Sequence, residues 1–246
     1  MPAPGVQLRC AISAVLILEG PSAVTIGATA VADRLEEEIV LGLRFPRERL
    51  IEDELMARFD AKRHAVRSAL RELENRGLTE RKPNAGAFVK SYSAKEVRDL
   101  YNVRELLETS CAQLIEFPVP GERIDELAEI QHGHDTAVAA KDLRAVVSAN
   151  MAFHQALFGL ADNIVLVRAI GRHARMAHVM RSVTVTDPEY LERSRSEHWT
   201  MLRALRTGDA ELLADTCRAH LLPSRDAYLR RIADLAAADP DGRQSG

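Results

Sequence analysis

Apolar residues first recur in register at Val31, Leu35, Ile39 and Leu43, with acidic residues between them. That spacing predicts an amphipathic helix over Ala28 to Leu43. After a loop, Arg44 to Arg49, the residues Leu50, Ile51, Leu55 and Phe59 line a second, short helix, and Val66, Leu70 and Leu73 line a third. Gly77 falls where a cap should close that third helix. Leu78-Thr79-Glu80-Arg81 and Ala87-Phe88-Val89 read as strands of a hairpin turning through Asn84-Ala85-Gly86. Beyond Ser91-Tyr92-Ser93 the pattern is helical throughout, opened by the capping-box pair Ser93 and Glu96. Helices are expected near 94–116, 121–139, 142–161, 164–183, 187–207 and 209–237, separated by Pro118, Pro120-Gly121, Lys141-Asp142, Asp162-Asn163, Asp187-Pro188 and Gly208-Asp209. The expected fold class is mostly α. An N-terminal winged helix-turn-helix with a two-stranded β wing (28–90) precedes an antiparallel bundle of about six helices (94–237). Residues 1–27, with the apolar Cys10–Leu18, are set aside as a variable N-terminal arm, and Asp239 onward as a polar end.

Charge sharpens this division. The whole chain carries a net charge of −3, which by itself argues against a nucleic-acid binder. Between Arg44 and Lys90, however, twelve Lys/Arg face eight Asp/Glu, a local excess of +4 that leaves −7 elsewhere. A basic module on an acidic body suits a regulator whose body does something other than hold DNA. Lys62, Arg63, Arg67 and Arg71 are spaced three or four apart, on the outer side of the third helix. A helix-turn-helix lays such a helix in the major groove of DNA. The three cysteines, Cys10, Cys111 and Cys217, are scattered singly, which fits a reducing cytoplasm and no disulfide frame. No apolar run is long enough to span a membrane.

The motif E-x-E-L-x-x-x-F (Glu52, Glu54, Leu55, Phe59) is followed by R-x-x-V-R-x-A-L-R-x-L-E-x-x-G-L (Arg63 to Leu78) and N-x-G-A-x-V (Asn84 to Val89). Together they resemble the DNA-binding domain of GntR-type bacterial transcription regulators. The resemblance implies that the start of the recognition helix and the wing tip touch double-stranded operator DNA. Carried onto this chain, the DNA-binding candidates are Lys62, Arg63, His64, Arg67, Arg71, Asn84 and Gly86. Lys62 departs from the small hydroxyl residue usual in the family, His64-Ala65 from a Pro or Thr, and Asp53 from a frequent Arg.

In the second half, Asn150 and His154 lie four apart and so share a helix face, while His198 and His220 fall on two further helices. Three imidazoles and an oxygen ligand on three helices can surround a divalent ion, although a lone buried histidine is more often a satisfied core residue. Spacing leaves both readings open. N-x-x-F-H-x-x-L (Asn150 to Leu157), E-H-x-x-M-x-x-A-L-x-x-G-D (Glu197 to Asp209) and the stretch ending at His220 resemble the effector domain of the FadR-like branch. There, Asp or Asn with three His binds zinc, nickel or a similar ion. By that resemblance the metal ligands are Asn150, His154, His198 and His220. With Asn in place of Asp the four ligands are neutral, which leaves the ion's charge uncompensated and favours a small carboxylate effector. Arg104 is the candidate second anchor for that carboxylate, on the family's habit of an arginine there; the alternative is a surface pair with Glu108. Arg172 and Arg175 are further effector-binding candidates, although with Arg168 they also fit a solvated stripe. His132 and His134, flanking a glycine between helical stretches, read as exposed. His173 and His178 fall on different faces, and Trp199 reads as core.

The expected function is a ligand-responsive, cytoplasmic, homodimeric repressor released from its operator by a carboxylate bound at or near the metal; repression is the family's common mode. The alternative is a metal-dependent hydrolase with a nucleic-acid-binding appendage. Such an enzyme needs an open coordination position and a nearby general base. The chain has no H-E-x-x-H motif, and Glu197 points away from His198 on a helix. A purely architectural DNA binder leaves the acidic helical half unexplained.

Overall fold

The computed structural model describes residues 26–238, so the arm from Met1 to Thr25 with Cys10–Leu18, and the end from Asp239, lie outside the described residues. The element order is α1 (Ala28–Val40), β1 (Arg49–Leu50), α2 (Glu52–Phe59), α3 (Arg63–Asn75), β2 (Thr79–Lys82), β3 (Gly86–Val89), α4 (Ala94–Gln113), α5 (Gly121–Ala140), α6 (Leu143–Gly159), α7 (Ile164–Met176), α8 (His178–Arg181), α9 (Pro188–Thr207) and α10 (Ala210–Ala238). The chain is a mostly helical protein with a winged helix-turn-helix at its N-terminal end.

Four details depart from the periodicity. Helix α1 stops at Val40, because Gly42 turns left-handed at φ 70° and the Leu43 N–H reaches back to the Glu38 carbonyl. This closure strips the helix of Leu43, which stands 63 % exposed. Leu50 and Ile51 do not belong to α2. Leu50 pairs with Ala87 in a short strand, and Ile51 sits at the N-cap of α2, 39 % exposed. The wing therefore has three antiparallel strands, in the order β1-β3-β2, with Arg81 opposite Ala87 and Lys82 opposite Gly86. Finally, the helix expected over 164–183 breaks at Ala177 into α7 and α8. Ala177, His178, Val179 and Met180 are all buried, so packing against α1 and α10 sets the path there in place of a one-sided apolar stripe.

Two apolar clusters hold the molecule together. The first contains Leu35, Phe59, Leu70 and Leu73 of the head, but continues into Tyr101 of α4, Met180 of α8 and Tyr228 of α10. The second lies within the bundle, around Phe153, Leu157, Met201, Leu202 and Cys217. Head and bundle thus share one core across residues 91–93. Gly77 marks this joint: its φ is 77°, and a Cβ there would meet Met176 Cγ at 2.9 Å and Tyr92 Oη at 3.0 Å. Tyr92 donates its hydroxyl hydrogen to the Gly77 carbonyl at 2.6 Å.

Candidate functional site

The outer face of α3 presents Arg63, His64, Arg67 and Arg71, all exposed, with Lys62 exposed at its N-cap. The opposite face packs Val66, Leu70 and Leu73 into the first core. Lys62 makes no side-chain capping bond, and the first turn of α3 has no acidic residue, so the helix supplies no cap of its own to its first amide N–H groups. Two arginines are held by α2. Arg63 Nη2 lies 2.7 Å from Asp53 Oδ1, and Arg67 Nε lies 2.9 Å from Glu52 Oε2. At the wing tip Asn84 and Gly86 both have positive φ (58° and 98°), which is what turns the hairpin, and both are exposed.

In the bundle, α6, α9 and α10 bring three histidines together, with ligand atoms of His154, His198 and His220 all within 4.8 Å of one another. The Nε2 of His154 is 3.1 Å from that of His220 and 3.3 Å from that of His198. The far sides of two rings are fixed. His198 donates from Nδ1 to Gln131 Oε1 at 2.7 Å, and His220 donates from Nδ1 to Glu197 Oε2 at 2.8 Å. These partners assign the proton to Nδ1 in both rings and leave both Nε2 lone pairs aimed at the same point. Burial keeps His154 and His198 well below the usual imidazole pKa. Three imidazoles whose Nε2 atoms converge fit a divalent cation.

Gln131 and Asp135 escaped the sequence reading, and Glu197 entered it only as a general base pointing away from His198. Gln131 Nε2 donates to Asp135 Oδ1 at 2.8 Å, and Trp199 Nε1 donates to Asp135 Oδ2 at 3.0 Å, so Trp199 is half-buried and hydrogen-bonded to α5. Glu197 accepts from His220 and, at 2.8 Å, from Arg193, which makes it an orienting group and no free base. His134 is a correction. It lies within α5, 1 % exposed, with its ring 5.3 Å from that of His198, whereas His132 is exposed as expected. Gly133 interrupts nothing, because the helix continues for seven residues beyond it. His178 is also buried, with Nδ1 3.1 Å from Glu36 Oε1 of α1 but without hydrogen-bond geometry.

A cavity of about 670 Å³ opens beside the histidines, with His154 in its wall. Arg104 lies in the same wall, 2 % exposed, bonded through Nε to Glu108 Oε1 at 3.0 Å, while its Nη1 has no partner. The Glu108 pair exists, but it is buried and no surface feature. Arg168, Arg172 and Arg175 line the cavity too, so the stripe on α7 borders it. Arg181 of α8, which no sequence signal marks, completes the basic lining. Glu72 and Asn75 of α3 and Arg76 at its C-cap line the cavity as well. Asn150 lines a second, small cavity of about 30 Å³ with His134, Arg181 and Ser194, one turn before His154 on α6. No helix of the described residues is long and apolar enough to cross a membrane.

The family model for bacterial regulatory proteins of the gntR family matches residues 28–89, and the model for the FCD domain matches residues 99–222. The chain is 26 % identical over 190 residues to the HTH-type transcriptional repressor RspR of Escherichia coli K12, covering 76 % of this chain and 82 % of that protein. It is 29 % identical over 195 residues to the Nta operon transcriptional regulator of Aminobacter aminovorans, covering 77 % and 87 %. Among solved structures, a transcriptional regulator GntR from Rhodococcus sp. RHA1 superposes with a TM-score of 0.65 at 27 % identity, covering 82 % of this chain and 97 % of that one. E. coli McbR/YncC shares the fold at a TM-score of 0.70 and 19 % identity, covering 84 % and 98 %.

Proposed function

The chain belongs to the bacterial gntR family of regulatory proteins, with an FCD domain behind its DNA-binding head, and from that premise we propose a homodimeric repressor released from its operator by a small carboxylate bound against a metal. It is a ligand-responsive DNA-binding transcription regulator and not an enzyme. One observation carries the finer reading: the cavity lined by His154 is lined also by the end of the recognition helix. A ligand held there touches both functions at once.

Each residue then has a task. Lys62, Arg63, His64, Arg67 and Arg71 face the major groove, with Asn84 and Gly86 placing the wing on the backbone. His154, His198 and His220 hold zinc or nickel, both suited to imidazole, with Asn150 as the fourth, oxygen ligand. The ion supplies a positive centre for a carboxylate oxygen. Arg104 offers its unpartnered Nη1 to the same carboxylate, and Arg172 and Arg175 guard the mouth. Binding that favours one placement of α3 relative to the bundle shifts the spacing of two recognition helices, and operator affinity falls. Dimerisation is supported by exposed Val103 and Leu106 on α4 and Ile164 and Val165 on α7, two helices that pack together. A cytoplasmic location follows from the DNA partner.

The test begins with elemental analysis of tag-free protein, wild type beside His198→Ala. About one metal per chain in wild type and none in the variant is the expected result. No metal in either overturns the metal-centred reading. On the DNA side, Arg63→Ala and Arg67→Ala are each expected to weaken operator binding by ~1–3 kcal/mol. Unchanged gel-shift affinity for both removes α3 as the reading helix.

A further inference from the structure

The charge lining the cavity exceeds what one carboxylate can balance. Six arginines, Arg76, Arg104, Arg168, Arg172, Arg175 and Arg181, stand against two glutamates, Glu72 and Glu108. Arg76 is answered outside the cavity by Glu36 and Asp33, and Glu108 answers Arg104. Arg168, Arg172 and Arg175 sit toward the solvent side, where water screens them. Arg181 differs. It is part-buried on α8, and among the described residues no carboxylate pairs with it. Burial and the nearby Arg104 charge both press its guanidinium below the ordinary arginine range, which marks a cation short of a counter-charge. The same lining also carries apolar side chains, Phe158, Val167, Ile170 and Met151.

We propose that this cavity selects a dicarboxylate with a hydrocarbon or aromatic middle, one carboxylate meeting Arg104 beside the histidines and the other meeting Arg181. Two guanidiniums take two carboxylates, and the apolar side chains of the lining suit a spacer that makes no hydrogen bonds of its own. A monocarboxylate of the same skeleton leaves Arg181 as it stands, desolvated and unanswered. The inference rests on the carboxylate-effector reading and adds the number of charges and the residue that counts them.

Calorimetric titration of the metal-loaded, full-length protein with two matched pairs, adipate against hexanoate and phthalate against benzoate, separates the claims. Adipate or phthalate is expected to bind at least tenfold more tightly than its monocarboxylate partner. Arg181→Gln is expected to erase that ratio and leave the monocarboxylate within twofold of wild type, while Arg181→Lys retains part of it. Equal binding of the members of both pairs in wild type, or an undiminished ratio in Arg181→Gln with a wild-type thermal melt, overturns the two-charge inference alone. Binding of neither acid in either pair overturns the carboxylate reading beneath it as well.

Discussion

Lys62 shows how one side chain serves two opposed demands. The N-cap position of a helix favours a small oxygen-bearing residue that accepts from the first-turn amides, and Lys62 supplies none. What it supplies is a charge beside the groove-facing arginines. Lys62→Ser is therefore expected to raise stability by about 1 kcal/mol, read as a higher urea midpoint. The same change is expected to reduce the salt dependence of operator binding by about one unit of slope, provided that Lys62 meets a phosphate. A lower midpoint contradicts the capping argument, and an unchanged slope removes the phosphate contact. Arg63 makes a related point. Its bond to Asp53, where the family often has arginine, ties a reading side chain to α2. Asp53→Ala is expected to leave folding within about 0.5 kcal/mol, as for an exposed ion pair. It should change which bases are preferred opposite Arg63 in a selection from randomised DNA.

At the level of elements, the joint around Gly77 is the most constrained place in the chain. Its positive φ and the closeness of Met176 and Tyr92 leave no room for a methyl group. Gly77→Ala is expected to destabilise by about 1–3 kcal/mol, measured by thermal melt, and to disturb the seating of α7 on the head. Elements of this local kind were legible in the sequence: α3 from its apolar spacing and glycine stop, α4 from Ser93 and Glu96, the hairpin from Asn84 and Gly86. Strand β1 was not legible, since two residues have no period and only pairing with β3 creates them. The same logic divides the site. His154, His198 and His220 stood out by spacing and resemblance, but Gln131 and Glu197 matter only because α5 and α10 approach α9. His134 was misread because a neighbouring glycine suggests a break, when a helix held by tertiary packing tolerates one. Arg181 faces the cavity from α8, past a break that the pattern of residues 164–183 did not announce.

Across the whole molecule, head and bundle meet through a buried polar seam. Burial is the largest influence on Glu36 and would raise its pKa, but His178 and Arg76 together hold it below the usual carboxylate value. His178 is pushed below the usual imidazole value by burial, with Arg181 and Arg104 adding to the push and Glu36 opposing it. With the folded pKa below the unfolded value of about 6.5, the unfolded chain binds the proton that the folded one refuses. Stability from this residue is complete above about pH 6.5 and is lost as the pH falls toward the folded pKa. In chelator, the drop in melting temperature between pH 7 and pH 5.5 is expected to be smaller for His178→Gln than for wild type. Equal drops would place the acid sensitivity elsewhere. The cavity wall contributed by Glu72, Asn75 and Arg76 has a practical consequence for anyone assembling hybrid sensors from such regulators. Cutting at Ser91–Ser93 and grafting on a foreign head would exchange the address being read and, with it, one side of the chamber that recognises the signal. A hybrid that keeps its original response would have to carry the last turn of α3 along with the bundle.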